Sequence, residues 1–256
     1  MVVNPIGVFQ CSEVYAYDAA RQGVLAEENR GSVVLAPGQN FEQALQDVEG
    51  FSHIWLLFQF HHNTRWKPKV QPPRGNRKVG VFASRAPYRP NSIGMSCVRL
   101  ISISGRTLSV ADHDLLDGTP ILDIKPYVAY ADSIPDATSG WLGEVDGTRW
   151  TVRFSDAATE RVQWLEEHGV SCLKAFLMQQ LADEPFSDKR KRVKRLGDST
   201  WQIAYRTWRV DFTAYSERSM IRIDNLQSGY SISDLNLKED PYADKAIHRA
   251  FLAQFS

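Results

Sequence analysis

The feature that most limits the fold is a series of short apolar segments in the first half of the chain. They are rich in β-branched and aromatic residues, and glycine or proline separates most of them: FSHIWLLFQFH (51–61), KVGVFAS (78–84), GMSCVRLISISG (94–105) and RTLSVADHDLL (106–116). The last two meet at Ser104-Gly105, which predicts a hairpin tip. Many short strands at this spacing predict a mainly β domain, as a barrel or a sandwich. One helix is expected among them over 41–49, with Asn40 as its N-cap.

A change of composition near the middle of the chain predicts a second domain. Proline, glycine, serine and aspartate accumulate in SIPDATSGWLGEVDG, and we divide the chain there into domains 1–135 and 136–256. The second half alternates helical and strand patterns, so a smaller α+β domain is expected. Its predicted elements are strand-like RWTVRF, helices over 156–168 and 170–182, a hairpin or small sheet in TWQIAYRTWRVDF with SMIRIDNL, and a last helix with Asp240 as cap and Pro241 at the first helical position.

The charged residues are distributed unevenly although 30 basic and 30 acidic residues cancel. Ten lysines and arginines, and no acidic residue, lie between Glu49 and Asp112. A second basic cluster, KRKRVKR at 189–195, has six basic residues in seven. Two such clusters in a neutral chain indicate a polyanionic partner, with nucleic acid favoured.

Several classes of protein are not indicated by the sequence. No apolar run approaches the roughly 18 residues that span a bilayer, and MVVNPIGVFQ lacks the pattern of a signal peptide, so a soluble cytoplasmic protein is expected. Cys11, Cys97 and Cys172 are widely spaced, which argues against a disulfide framework or a zinc ribbon. There is no G-x-G-x-x-G, P-loop or H-E-x-x-H motif, so a Rossmann nucleotide site is not expected.

Two polar clusters are candidates for chemistry. In ADHDLLDGTP (111–120), Asp112 and Asp114 would share one strand face while His113 points to the other, so we assign no metal site there. His61-His62 follows an apolar strand, and Ser84, His61 and Asp117 are the residue types of a hydrolytic triad, but no G-x-S-x-G is present.

A long ordered motif string resembles a known family. GVFASRAPYRPNSIGMS, LLDGTPILDIKPY, FSHIWLLFQFHHNTRW with KPKVQPPRGNRKVGVFASR, and ARQG at 20–23 are similar to the TsaA-like/TrmO (YaeB) family, densely over residues 1 to about 135. The resemblance implies a non-Rossmann β-barrel that binds S-adenosyl-L-methionine, and a C-terminal domain that recognises tRNA. It further implies a homodimer that methylates N6 of threonylcarbamoyladenosine at position 37, mainly in threonine tRNAs.

The resemblance also assigns residues to roles. The methyl donor would contact Ala20, Arg21, Gln22, His61, His62, Arg85, Met95, Leu116, Asp117, Gly118 and Thr119. By residue type, the candidates for handling the N6 proton are Asp117, Asp114, Tyr127 and also His61. The expected tRNA contacts are Arg89, Asn91, Lys125, Lys189, Arg190, Lys191, Arg192, Lys194, Arg195, Trp208 and Arg209.

Three alternatives stay open at this point. A tRNA-binding module without catalysis and a metal-dependent hydrolase both compete with the methyltransferase. Trp208 could equally be an ordinary core residue of the second sheet. The helix expected after residue 236 is an addition relative to the shorter members of the family that the chain resembles.

Overall fold

The computed structural model describes residues 2–13, 29–72, 77–144, 149–170, 172–182, 185–186 and 193–255. The chain divides into two compact units, Met1–Gly147 and Thr148–Ser256, so the division lies about twelve residues beyond the predicted one. Residues 136–144 stay with the first unit because Trp141 anchors them. Its Nε1 donates to the carbonyl oxygen of Ala83 (2.8 Å), and its ring packs on Val70, Val79 and Val81.

The first unit is built on a closed barrel, which confirms the prediction of a mainly β domain. Its elements are β1 (Gly7–Cys11), β2 (Arg30–Leu35), α1 (Phe41–Ala44), β3 (His53–Gln59), β4 (Lys69–Val70), β5 (Val79–Gly80), β6 (Ile93–Ser104), β7 (Thr107–Ala111), β8 (Pro120–Pro126) and α2 (Ala129–Asp132). The barrel order is β1-β2-β7-β6-β3-β8, and all neighbouring strands are antiparallel. This arrangement is not a Rossmann sheet, whose strands are mostly parallel.

Alternating side chains fill the barrel. Ile54, Leu56 and Phe58 of β3 are buried, whereas the residues between them are partly exposed. These side chains meet buried residues from the other strands in one apolar cluster, among them Phe9, Val33, Val98, Leu108, Val110 and Ile121. Burying one such side chain stabilises a fold by roughly 1.5–3 kcal/mol, so the inward face fixes the register of each strand.

Several local predictions need correction. The segment 78–84 forms only the two-residue β5 and a 3-10 turn at Val81–Ala83, since Ser84 N bonds back to the carbonyl oxygen of Val81 (3.2 Å). The helix expected over 41–49 is split into α1 and a 3-10 turn at Val48–Gly50 because Asp47 has a left-handed φ of 66°. Asn40 does not cap α1 with its side chain, which donates to Gln43 instead (2.7 Å). The sequence pattern did not indicate strands β1, β2 and β8.

The antiparallel strands bring specific chain segments to each end of the barrel. The site end is the end where β1, β3 and β7 finish and where β2, β6 and β8 begin, at Cys11, Gln59, Ala111, Arg30, Ile93 and Pro120. The far end carries the Ser104-Gly105 hairpin tip, the start of β3 at His53 and the end of β8 at Pro126. Residues that follow β3, β7 or β1 therefore gather at one end.

The second unit is an α+β domain, which confirms the prediction of its class. Its elements are β9 (Thr151–Phe154), α3 (Asp156–Glu167), α4 (Leu173–Ala182), β10 (Val193–Arg195), β11 (Thr200–Tyr205), β12 (Trp208–Tyr215), β13 (Met220–Ser228), α5 (Ile232–Asn236) and α6 (Lys245–Phe255). The sheet order is β10-β11-β12-β13-β9, with β9 parallel to β13. Helices α3, α4 and α6 contribute Val162, Leu177 and Phe251 to its core.

Caps set the ends of the helices in this unit. Ser155 Oγ accepts the N–H of Ala158 (3.1 Å), so α3 begins where the sequence predicts. Helix α6 begins later than expected: the Asp240 carboxylate accepts the N–H groups of Asp244 (3.1 Å) and Lys245 (3.2 Å), and a turn lies between them. Pro241 is therefore outside the helix. In the described part of the chain, every helix is too short or too polar to cross a membrane.

A glycine in the motif string is required by packing between strands. Gly94 of β6 lies opposite Phe58 of β3, and a Cβ at this position would lie 2.4 Å from the Phe58 ring. We expect Gly94→Ala to lower the free energy of unfolding by about 1–3 kcal/mol because the ring or the strand must move. Urea denaturation measures this change.

Gly80→Ala is the matched control, since a Cβ there meets no atom within 4 Å. Equal stability of the Gly94→Ala and Gly80→Ala variants would contradict the packing account.

Candidate functional site

The turn Leu116–Thr119 lies at the site end and is fastened to β1 by backbone groups. Asp117 N donates to the carbonyl oxygen of Glu13 (2.8 Å), and Gly118 N donates to that of Phe9 (2.9 Å). The Asp117 carboxylate accepts the N–H of Cys11 (3.1 Å). Gly118 has a φ of +74°, which explains the glycine in this turn. Asp117 stays exposed.

Asp112, His113 and Asp114, which precede this turn, point to alternate sides, as the sequence predicts. The Asp112 carboxylate accepts from Arg99 Nε (2.8 Å), and the Asp114 carboxylate accepts a short hydrogen bond from Ser96 Oγ. Both partners belong to β6. The His113 ring points the other way and packs edge-on against Phe9 with ring centroids 4.7 Å apart.

The proton affinity of the Asp114 carboxylate is altered by its surroundings. Burial raises the pKa of Asp114, while the Ser96 hydroxyl and the nearby Arg85 guanidinium partly offset that rise. A carboxylate with a raised pKa is a better proton acceptor than an exposed one. Among the candidates for the base, Asp114 therefore has the environment that suits the role.

The histidine pair lies beside the Leu116–Thr119 turn. The rings of His61 and His62 are 3.9 Å apart, centroid to centroid. Burial lowers the pKa of His61 and the neighbouring His62 lowers it further, whereas the Asp117 carboxylate raises it. His61 is therefore a neutral imidazole at neutral pH, and it is within electrostatic range of Asp117.

The loop before β6 is held rigid by its own polar groups. Ser84 Oγ donates to the carbonyl oxygen of Val81 (2.9 Å) and accepts from Ala86 N (3.3 Å). Arg89 Nη1 donates to the carbonyl oxygens of Val81 (3.2 Å) and Ser84 (2.9 Å). Arg89 thus supports the loop, whereas Arg85 and Asn91 are exposed on it.

The hydrolytic alternative loses its nucleophile in this arrangement. A serine nucleophile must donate its single proton to a histidine. The Ser84 proton goes to Val81 instead, and no bond to His61 is present in the described part of the molecule.

Two predicted site residues lie at the far end, which separates Tyr127 from Asp114 and Lys125 from Arg89 and Asn91, the residues with which each was predicted to act. Tyr127 N donates to the carbonyl oxygen of His53 (3.1 Å), and its ring lies 5.8 Å from that of Trp55. Lys125 Nζ pairs with the Asp123 carboxylate (2.9 Å). Tyr127 follows β8 and Lys125 is the sixth of its seven residues, whereas Asp117 precedes the strand; seven residues of strand span about 20 Å. The motif is continuous in sequence, but its two ends lie at opposite ends of the barrel because strand β8 lies between them.

Met95 and Ser96 show how β6 divides the predicted contacts. Ser96 is buried and faces Asp114, whereas Met95 is 53% exposed on the outer surface of the barrel. Met95 therefore does not share a face with the Ser96–Asp114 pair.

In the second unit, the structure separates surface from core residues. Trp208 is 1% exposed and stacks on His248 with ring centroids 3.7 Å apart, so its ring is not available to an RNA base. Arg209 Nη1 donates to the carbonyl oxygen of Trp208 (2.9 Å). Lys194 and Arg195 lie exposed on β10, and the Arg195 guanidinium lies 5.7 Å from the Trp201 ring. Trp201 was not among the residues predicted to bind RNA, although an aromatic residue six positions after the basic run could have been recognised as a candidate.

Some predicted residues lie outside the described ranges. Ala20, Arg21 and Gln22 belong to 14–28, and Lys189, Arg190, Lys191 and Arg192 belong to 187–192.

Comparison with known proteins relates this site to one family. The family profile of the tRNA-methyltransferase O N-terminal domain matches residues 12–133. The chain is 40% identical over 210 residues to the putative S-adenosylmethionine-dependent methyltransferase RcsF of Pseudomonas aeruginosa, covering 78% of this chain and 89% of the relative. It is 35% identical over 215 residues to the tRNA (adenine(37)-N6)-methyltransferase of Escherichia coli, covering 81% and 88%. The crystal structure of TrmO from Pseudomonas aeruginosa superposes with a TM-score of 0.61 and 32% identity, covering 89% of this chain and 99% of that one.

The raised pKa of Asp114 makes its ionisation unfavourable for folding. Its unfolded pKa is near 3.8, so the penalty is absent below that pH and grows as the pH rises through the folded pKa. We expect Asp114→Asn to gain stability relative to the wild type as the pH rises from acidic to neutral, because the amide cannot ionise. The amide oxygen can still accept from Ser96. Urea denaturation at several pH values measures the difference.

Asp136→Asn, at an exposed position, is the control. A difference for Asp114→Asn that stays constant with pH, or shrinks as the pH rises, would contradict this account of Asp114.

Proposed function

Since the chain belongs to the TrmO family and is an S-adenosylmethionine-dependent tRNA (adenine(37)-N6)-methyltransferase, we propose that its acceptor is threonylcarbamoyladenosine at position 37, mainly in threonine tRNAs. The observation that carries the site assignment is the grouping of Arg85, Asp114, His61 and the Leu116–Thr119 turn at one end of the barrel. All of them lie within the segment that matches the family profile.

The chemistry of these residues fits a molecule with a carboxylate, an ammonium, a sulfonium and an adenosine. The exposed Arg85 guanidinium suits the carboxylate, because such pairs form strong charge-assisted hydrogen bonds. The exposed Asp117 carboxylate suits the ammonium or the sulfonium. Leu116 and the neutral His61 supply a surface of low charge for the adenine. Ala20, Arg21 and Gln22 complete the proposed donor contacts on the ground of the resemblance.

Methyl transfer requires positioning more than covalent help. The bond from sulfur to the methyl carbon breaks as the bond from N6 to that carbon forms, and the N6 proton must leave. The N6 lone pair is delocalised in a urea-like group, so a proton acceptor assists. We assign that role to Asp114, because burial raises its pKa and Arg85 lies near it. Tyr127 is not included in the reaction, since it lies at the far end.

The second unit is proposed to bind the tRNA through its basic cluster. Lys194 and Arg195 are exposed on β10, directly after Lys189 to Arg192 in the sequence. Such cations contact phosphates without reading the base sequence. Arg209 and Trp208 are left out of this surface, because both are engaged within the sheet. Lys125 and Asn91 remain exposed groups on the first unit that are available to RNA.

The protein is further proposed to act as a homodimer in the cytoplasm, as the resemblance implies. Its mass in solution, measured by analytical ultracentrifugation, tests the first part. Cell fractionation tests the second.

The direct test of the function is mass spectrometry of tRNA nucleosides after incubation with the protein and S-adenosylmethionine. We expect threonylcarbamoyladenosine to gain the mass of one methyl group.

The role of Arg85 can be tested separately. Arg85→Ala should weaken donor binding by about tenfold or more, since a hydrogen bond to a charged group contributes roughly 1.5–3 kcal/mol. Isothermal titration with the donor measures this loss.

Arg77→Ala removes another exposed arginine of the same acid-free segment and serves as the control. An unmodified nucleoside pool with wild-type protein would refute the reaction. Equal donor affinity of the Arg85→Ala and Arg77→Ala variants would refute the role of Arg85.

The basic cluster should act through counterion release. We expect the triple variant Lys191→Ala, Arg192→Ala and Lys194→Ala to bind tRNA more weakly, and to reduce the slope of log affinity against log salt by about 2–3. A filter-binding series across salt concentrations measures the slope. With Lys238→Ala as the control for an exposed lysine of the same unit, an unchanged slope in the triple variant would rule out this surface.

A further inference from the structure

We infer that Cys11, Glu13 and His113 form a binding site for a zinc ion beneath the Leu116–Thr119 turn. One ligand atom of each residue, a sulfur, a carboxylate oxygen and an imidazole nitrogen, lies within 4.8 Å of the other two. His113 Nε2 and Glu13 Oε2 are 3.8 Å apart. The site itself does not depend on the proposed function, although its effect on donor binding does.

His113 is the residue that points to a missing partner. Its side chain is completely buried, and neither ring nitrogen has a hydrogen-bond partner among the described residues. The backbone of Arg30 and Leu115 lies near the ring but not in hydrogen-bond geometry. An imidazole nitrogen that carries no proton is the atom that binds metals. Buried polar groups are normally hydrogen-bonded because an unsatisfied one destabilises the fold, so a buried histidine without such a partner indicates a ligand.

The surrounding structure fixes His113 in place. The Asn29 side chain bonds to both backbone groups of His113: its Nδ2 donates to the carbonyl oxygen (2.8 Å), and its Oδ1 accepts from the N–H (3.0 Å). The ring packs against Phe9. A ligand held this way is preorganised, which is how metal sites reach high affinity.

The donor set selects the ion. One sulfur, one nitrogen and one oxygen suit zinc, which takes four ligands in a tetrahedron. At bond lengths of about 2.0–2.3 Å, pairs of ligands lie about 3.3–3.6 Å apart. The separations in the structure, at most 4.8 Å, therefore need to shorten by no more than about 1.5 Å to reach that geometry. Water or another group would complete the fourth position.

The charges of the proposed site also balance. A thiolate and a carboxylate carry two negative charges, and a zinc ion cancels both in a place where Glu13 is only 3% exposed. Without an ion, the Cys11 thiol keeps its proton and donates weakly to the carbonyl oxygen of Leu115 (3.6 Å). When zinc binds, that proton leaves to solvent and the sulfur bonds to the ion.

The position of the site gives it a structural role. Backbone groups of both Cys11 and Glu13 bond to Asp117. An ion that joins Cys11, Glu13 and His113 would link the end of β1 to the segment that leads into the Leu116–Thr119 turn. We therefore infer that zinc stiffens the turn that carries the proposed donor contacts.

The test uses the full chain purified from zinc-supplemented cells, followed by metal analysis and by cobalt substitution of the metal-free protein. We expect about one zinc ion per chain. Cobalt should give the visible bands of a tetrahedral site together with a thiolate charge-transfer band. Cys11→Ser should lose the thiolate band and weaken zinc binding at least tenfold, whereas Cys97→Ser, on the outer side of β6, should change neither.

Either of two results would overturn the proposal. One is wild-type protein that holds no zinc after supplementation and shows no thiolate band with cobalt. The other is zinc binding that is equal in the Cys11→Ser and Cys97→Ser variants. If Cys11→Ser does not fold, the cobalt spectrum of the wild type still tests the proposal. Added zinc should also raise the melting temperature of the metal-free wild-type protein. Wild-type protein that holds no zinc after supplementation but still methylates tRNA would refute the zinc site alone and leave the methyltransferase intact.

Discussion

The closure of the barrel between β1 and β8 is the interaction on which the candidate site depends. Gly7 pairs with Ile121 and Val8 with Pro120, and the pairing continues where Phe9 N donates to the carbonyl oxygen of Thr119 (2.8 Å). Because β1 comes from the start of the chain and β8 lies more than a hundred residues later, this contact brings together segments that are remote in sequence. The Leu116–Thr119 turn, the end of β1 and the histidines after β3 all take their positions from it.

The site end carries polar groups that do not favour folding. Asp114 has a raised pKa, and His113 is buried without hydrogen-bond partners among the described residues. Natural proteins concentrate such groups where they bind or react, since elsewhere selection for stability removes them. The far end lacks this pattern in its described residues: Tyr127 packs on His53 and Trp55, and Lys125 is paired with Asp123. Within the described part of the barrel, the groups suited to chemistry therefore lie at one end.

The fold class and the family follow from the sequence, but the grouping of the site does not. Alternating apolar residues predicted β3, β6 and β7, because a strand with one buried face has apolar residues at every second position. Strands β1 and β8 carry weaker patterns and were found only in the structure. The motif from Leu116 to Tyr127 is continuous in sequence but includes all of strand β8. The two ends of the motif therefore lie about 20 Å apart in the structure, which the sequence did not indicate. Cys11 and Glu13 could not be linked to His113 from sequence, since only barrel closure makes them neighbours.

The central claim is that the methyl donor binds at the site end, and hydrogen–deuterium exchange with and without S-adenosylmethionine tests it most directly. The account predicts slower exchange on donor addition in residues 61–62, 85–96 and 112–119, with no change at the far end in residues 52–54 and 126–128. Protection of the far-end segments, with the site-end segments unchanged, would contradict it.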